Sequence, residues 1–164
     1  MNTNKITIRF SVIEDGKYLK KWLLEPGVLH WFPMCNEKEI DDAVNLWMGY
    51  IKEQAVLTAL YDGVPCGICN LYLQPYEKLK HQCLMAIVVG EKYRKQGIGR
   101  LLIEELMRIA KEKHHIEILH LEVYEGNPAY YLYEKMGFKT FGFQKHFTKE
   151  KNTYLGKTFM QKIL

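Results

Sequence analysis

The sequence predicts a domain that mixes strands and helices, and three stretches carry that prediction. Leu84-Met85-Ala86-Ile87-Val88-Val89 is a short unbroken apolar run, the pattern of a strand buried on both faces. It leads through polar residues 90–96 into Gly97-Ile98-Gly99. Beyond them Leu101, Leu102, Leu106, Ile109 and Ala110 recur at helical spacing, with charges on the opposite face. Two hairpin patterns flank this centre. Residues 54–61 and 64–73 are joined by Asp62-Gly63, and residues 138–147 and 153–163 form a closing antiparallel pair with 148–152 as the turn.

The other elements fall into place around these. Residues 6–13 alternate as a first strand. Residues 14–24 read as a helix burying Tyr18, Leu19, Trp22 and Leu23, stopped by Pro26-Gly27. Residues 28–34 are an aromatic connector. Asn36 with Glu39 three residues on has the pattern of a capped helix start, and Ile40, Ala43, Val44, Trp47, Met48 and Ile51 supply the apolar stripe behind it. A strand at 116–124 and a helix stopped at Lys135-Met136-Gly137 complete the order βααβββαβαββ.

The central turn suits a phosphate. The first amides of a helix lack internal partners, and the macrodipole places about half a positive charge there. Gly97 and Gly99 have no Cβ to keep an anion away, and Arg94, Lys95 and Arg100 add charge around Gln96 and Ile98. The spacing lacks the Gly-Lys-Ser/Thr of a Walker loop and the third glycine of a dinucleotide fingerprint. A bare strand-to-helix connection that binds nothing is the alternative reading of the loop taken alone.

The run Arg94-x-x-Gly97-x-Gly99 resembles the acyl-CoA signature of the Gcn5-related N-acetyltransferase (GNAT) superfamily. Asn127-Pro128-Ala129-Tyr130-Tyr131-Leu132-Tyr133-Glu134-Lys135-Met136-Gly137-Phe138 resembles that family's closing segment, in the right order and with a helix and a strand between. The two motifs cover residues 84–143; residues 1–80 match in layout only. The resemblance implies one N-acetyltransferase domain over residues 1–164. Its α/β (α+β) fold would be a mixed, mostly antiparallel sheet of six to seven strands flanked by about four helices. It implies acetyl-CoA as co-substrate and direct attack by an amine in a ternary complex. A non-catalytic acyl-CoA-binding regulatory module is the alternative.

The same resemblance assigns roles. Residues Arg94, Lys95, Gln96, Gly97, Ile98, Gly99 and Arg100 would hold the pyrophosphate. Backbone groups of Ile87, Val88 and Val89 would pair with the pantetheine amides, which requires the next strand to splay away, and one of these amides would polarise the thioester. Tyr133 would protonate the departing thiolate, a task that suits a phenol with an ordinary pKa near 10. Asn127 stands six residues before it rather than the commoner seven, so it is either a cofactor contact or simply a helix cap with Pro128 behind it. Glu122, in a Leu-Glu-Val run like that of ribosomal-protein N-terminal acetyltransferases, is the leading general base, with His120, His81, Glu39 or a water chain as alternatives. The acceptor pocket would draw on His30, Trp31, Phe32, Trp47 and Tyr50, with Glu37, Glu39, Asp41 and Asp42 near by and residues 146–152 as a bordering loop. Aminoglycosides, polyamines, amino sugars, amino acids and protein N-termini all remain open as acceptors.

Composition narrows the partners. The 164 residues carry a net charge of +4 with lysines scattered along the chain, which argues against a nucleic-acid stripe. No apolar run approaches the ~18 residues of a membrane span, and Met1-Asn2-Thr3-Asn4-Lys5 has no signal-peptide core, so a cytoplasmic location is expected. A homodimer is compatible with the sequence. Cys66 and Cys69, with Cys83 and His81, could suggest a metal. The pair lies within a strand, where residues three apart face opposite sides, so buried thiols and no metal are expected.

Overall fold

The computed structural model describes residues 5–164; Met1 to Asn4, which bear on the signal-peptide expectation, lie outside them. Seven strands form one sheet: β1 (Ile6–Phe10), β2 (Val56–Tyr61), β3 (Val64–Tyr72), β4 (Gln82–Val89), β5 (Ile118–Tyr124), β6 (Lys139–Glu150) and β7 (Thr153–Ile163). Their order is β1-β2-β3-β4-β5-β7-β6, and every neighbouring pair is antiparallel except β4 with β5. The helices are α1 (Gly16–Leu23), α2 (Pro26–Leu29), α3 (Glu37–Gly49), α4 (Ile98–Glu112) and α5 (Ala129–Lys135).

The sheet separates two cores, as its alternating side chains require. On one face Leu102, Ile103, Leu106 and Ile109 of α4 pack on Leu57, Cys69, Leu71, Met85 and Leu119. On the other, Leu19, Trp22, Leu23, Ile40, Trp47 and Met48 of α1 and α3 cover Val56, Ile68 and Val88. The stripes on α3 and α4 thus bury the faces their periodicity indicates. Asn36 accepts the Glu39 amide at 2.9 Å while the Glu39 carboxylate accepts the Cys35 amide at 2.7 Å, a reciprocal cap at the start of α3.

Four details differ from the sequence expectations. The first helix begins as a single 3-10 turn, Ile13–Asp15, before α1 proper. Pro26-Gly27 does not only stop that helix but opens α2, because proline's missing amide costs nothing in a first turn. The first of the closing strands runs further than expected, to Glu150, so that Lys151-Asn152 alone makes the turn and the supposed loop 146–152 is mostly strand, while the second spans 153–163 as expected. Cys66 sits at a bulge, where the register with β2 jumps from Ala59·Gly67 to Leu60·Pro65. That extra residue puts Cys66 and Cys69 in the same core rather than on opposite faces. Their thiols donate to the carbonyls of Ala59 (3.3 Å) and Leu102 (3.8 Å). Burial pushes Cys66 up to about 11 and Cys83 up to about 12, and raises Cys69 as well.

A polar cluster ties β1, β2 and α1 together. Asp15, 2% exposed, receives Arg9 Nη1 and Nη2 at 2.7 and 2.9 Å, the Val12 amide at 2.9 Å and Thr58 Oγ1 at 2.8 Å. Ser11 completes it with a 2.7 Å bond to Thr58.

Candidate active site

Gly97 stands just before α4 with φ +83° and ψ −7°, a left-handed conformation that favours glycine, and a Cβ there would meet only open space. Lys95 is also left-handed, at φ +59°. Among the described residues, the amides of Gln96, Gly97, Ile98, Gly99 and Arg100 donate to no protein acceptor; the first helical bond that closes is Leu101 to Gly97 at 3.1 Å. Five unpartnered donors at the start of a fifteen-residue helix form an anion seat. A Cβ on Gly99 would lie 3.6 Å from Leu132, 3.9 Å from Val89 and 4.0 Å from Ile87, so this glycine borders β4 and α5.

The loop side chains are less available than the sequence suggests. Arg94 is half-buried and donates Nε to the Val89 carbonyl (3.3 Å) and Nη1 to the Gly27 carbonyl (3.0 Å). It clamps the end of β4 to α2, and a two-pronged grip on phosphate is not what its guanidinium does here. Gln96 bonds the Lys92 carbonyl at 3.1 Å, and Arg100 pairs with Glu104 at 2.7 Å. Lys95 is exposed and makes no ion pair among the described residues.

Beside this seat the sheet opens. β4 pairs with β5 only at Gln82·Ile118, Cys83·Leu119 and Leu84·His120, whereas its pairing with β3 continues to Gly67·Val89. From Met85 onward the two parallel strands part. The Gly90 amide donates to Cys66 on β3, so by antiparallel alternation Val88 also turns its backbone groups to β3, and Ile87 and Val89 turn theirs to the gap. The Val89 carbonyl is the one Arg94 reaches from that side. Of the three residues expected to pair with a ligand, Ile87 and Val89 therefore present backbone to the opening and Val88 does not; its side chain is 2% exposed in the α1–α3 core.

Tyr133 lies on α5, 8% exposed, with its ring 6.1 Å from that of Phe138. Its hydroxyl has no hydrogen-bond partner among the described residues, and burial pushes its pKa up to about 12, so it remains a proton donor at any working pH. Neighbouring Tyr130 is committed to Glu134 at 2.9 Å, and Tyr131 is 66% exposed. Asn127 Oδ1 accepts the Ala129 amide at 2.9 Å, so the capping role is realised and the side-chain nitrogen is left over.

Glu122 lies on β5 two residues past its last pairing with β4, on the sheet face opposite α4, since Leu121 and Val123 on either side of it pack in the α4 core. Its Oε2 accepts Lys157 Nζ at 2.5 Å. His120, half-buried on the same strand face, is held below its ordinary value by burial, against an opposing pull from Glu122, and is neutral at pH 7. Burial raises Tyr124, with a further contribution from Glu122, and pushes Tyr72 up to about 12. The other proposed bases stand elsewhere: Glu39 serves its helix cap, and His81 is exposed.

On this face a hollow of about 190 Å³ lies between the end of α1, the segment 32–34, α3 and β3, lined by Leu23, Phe32, Met34, Leu46, Trp47 and Tyr72 among others. Phe32 and Trp47, two of the aromatics expected at an acceptor pocket, border this hollow. Tyr50 packs edge-on against Tyr72 at 5.8 Å, and exposed His30 likewise meets Trp31 edge-on at 4.4 Å. Lys20 bridges Glu37 (2.9 Å) and Asp41 (2.7 Å), offsetting one of their two charges, and exposed Asp42 has no ion pair among the described residues.

Sequence reading missed Lys157. In Gly156-Lys157-Thr158 it looks like one more outward polar residue of a strand, and only the pairing of β5 with β7 sets it beside Tyr124 and within reach of Glu122.

A model of the acetyltransferase (GNAT) family matches residues 18–138. The chain belongs to that family. An N-alpha-acetyltransferase of Sulfurisphaera tokodaii is 38% identical over 82 residues, 49% of this chain and 48% of that one. The chain spans about half the length of the curated relatives it matches. Two solved structures cover nearly all of it. The ribosomal-protein-alanine N-acetyltransferase of Brucella melitensis has a TM-score of 0.79 and 25% identity over 96% of this chain and 99% of that one. The yncA protein of Salmonella typhimurium, solved with its cofactor acetyl-CoA, has a TM-score of 0.83 and 20% identity over 98% and 95%. The seven-stranded, mostly antiparallel sheet flanked by helices is the fold shared with these GNAT structures. No helix among the described residues is long and apolar enough to cross a membrane.

Proposed function

We propose that this GNAT protein is an N-acetyltransferase that moves an acetyl group from acetyl-CoA to the α-amino group of a peptide or protein N-terminus. The observation that carries this is the gap between β4 and β5, opening beside unpartnered amides at the start of α4. Diphosphate fits the five donors, and an extended amide-bearing arm fits the backbone edge of Ile87 and Val89 as an added strand. Gly97, Gly99 and the backbone of residues 94–100 do the holding, Arg94 as a clamp on the loop. Asn127 offers only its side-chain nitrogen to the ligand.

The chemistry follows from what surrounds the gap. An α-ammonium must shed a proton before its nitrogen can attack the thioester carbonyl, and Glu122 is the base, directly or through water. The C–N bond forms as the C–S bond breaks, with a backbone amide of β4 stabilising the oxyanion. Tyr133 delivers a proton to the departing sulfur and recovers one from the amide nitrogen's surplus; the other leaves to solvent by way of Glu122. Three observations favour an α-amine over a polyamine. Relatives aligned over about half this chain are named N-alpha-acetyltransferases. Lys20 offsets one of the two charges of Glu37 and Asp41, and Lys157 that of Glu122, which weakens the attraction a polycation needs. An α-amine, with a pKa near 8 against about 10.4 for a lysine, also supplies far more neutral nucleophile at pH 7.

Thiol release from acetyl-CoA tests the assignment with three acceptor sets: peptides with free N-termini, the same peptides blocked there but carrying lysine, and spermidine. Turnover confined to the free N-termini is expected. Turnover confined to the other two sets moves the activity to another amine, and silence in all three leaves an acyl-CoA-binding module without catalysis.

A further inference from the structure

Lys157 is a lysine whose side chain is only 9% exposed, in a position where lysine is seldom buried without a partner. Its backbone stands opposite Tyr124 on β5, and its Nζ reaches diagonally to Glu122 Oε2. The remaining sides of the ammonium are covered by aromatic faces, Phe147 at 3.6 Å and Tyr124 at 5.1 Å from the ring centroids. Phe147 reaches it because β6 is irregular here. Between Gln144·Lys157 and Thr148·Leu155 the register slips, with His146 left-handed at φ +56°, and the bulge turns the ring onto Lys157 and toward Phe159.

An exposed ion pair would be worth little, because long side chains lose freedom in making it. This one differs in geometry. The ammonium is fixed between two rings, so the Glu122 oxygen it holds is fixed as well. The other oxygen, Oε1, accepts no hydrogen bond among the described residues, and Glu122 keeps 35% of its side chain accessible. The other titratable groups facing it are His120 and Tyr124 on its own strand and Tyr72 on β3, whose hydroxyls and ring are neutral at pH 7.

We propose that Lys157, wedged between Phe147 and Tyr124, is a positioning residue that pins the Glu122 carboxylate and leaves its second oxygen for the acceptor amine. The inference rests on Glu122 being the base. Removing Lys157 frees the carboxylate to swing, and proton removal then competes with many unproductive orientations.

The test is a double-mutant cycle on kcat and on KM for acetyl-CoA, using Lys157→Met, Glu122→Gln and the two combined, with Lys157→Arg as the charge-keeping variant. Lys157→Met is expected to lower kcat about 10- to 100-fold with KM for acetyl-CoA unchanged, and Lys157→Arg to recover most of the loss. In the Glu122→Gln background, Lys157→Met is expected to add less than about twofold, since the residues act as one unit. The same fold-loss in both backgrounds, or no loss from Lys157→Met, overturns the proposal and leaves Glu122 as base intact. Wild-type kcat in Glu122→Gln removes the base and this proposal with it. If Lys157→Met does not fold, Lys157→Gln replaces it with the same expectations.

Discussion

At the scale of single residues, Tyr133 and Gly97 carry the sharpest predictions. The Tyr133 phenol is buried, unpartnered and held protonated up to about pH 12. Tyr133→Phe is expected to lower kcat by about 100-fold or more, with coenzyme A affinity by calorimetry unchanged. Its high pKa also means that the phenol causes no alkaline decline in rate below about pH 11. Gly97 and Gly99 separate two uses of glycine. Gly97→Ala forces a side chain into a left-handed backbone and is expected to cost about 1–2 kcal/mol, visible as a lower Tm. Gly99→Ala meets neighbours at ordinary contact distance, so a Tm at or slightly above wild type is expected. The glycines and Tyr133 were legible in the sequence because their roles come from covalent character and local order. Lys157 was not, since what makes it special is a partner 35 residues away.

At the scale of elements, Arg94 and Asp15 show side chains joining segments that the sequence lists separately. Arg94 spans the carbonyls of Val89 and Gly27, so Arg94→Ala is expected to lower stability by about 1–3 kcal/mol, measured by urea titration. Arg94→Lys should restore little, because one ammonium cannot reach both carbonyls in the same way. Had the guanidinium served only as phosphate charge, the fold would be indifferent to both changes. Burial alone would raise the Asp15 carboxyl, but its bonds from Arg9, the Val12 amide and Thr58 outweigh burial and hold it below the usual range. A carboxyl depressed in the folded state stabilises above its unfolded value near 3.9 and loses that contribution as pH falls through the folded value. Tm is therefore expected to fall below about pH 4, and Asp15→Asn to be less stable at neutral pH with a shallower acid decline. The helices α3 and α4 were readable from periodicity and from the Asn36–Glu39 cap. The short α2 and the bulges at Cys66 and Phe147 were not, because a single proline fits a stop and a start equally and a bulge leaves no period to read.

At the scale of the molecule, two helical layers pack on opposite faces of one sheet, and its parallel seam between β4 and β5 comes apart after three residue pairs. The order of elements and the antiparallel hairpins could be read from apolar patterning, since each hairpin is local. The seam could not, because nothing within residues 84–89 or 116–124 states where two strands part; family resemblance alone supplied that expectation. The opening sets a backbone edge, an anion seat and the Glu122–Lys157 pair around one space, and the proposed acetyl transfer depends on a ligand filling it. Amide-resolved NMR titration with coenzyme A is the most direct measurement. Saturable shifts and slowed exchange at Gly97, Ile98, Gly99 and Arg100, together with Ile87 and Val89, are the expected result. Absence of binding, or shifts confined to other parts of the sheet, contradicts the site.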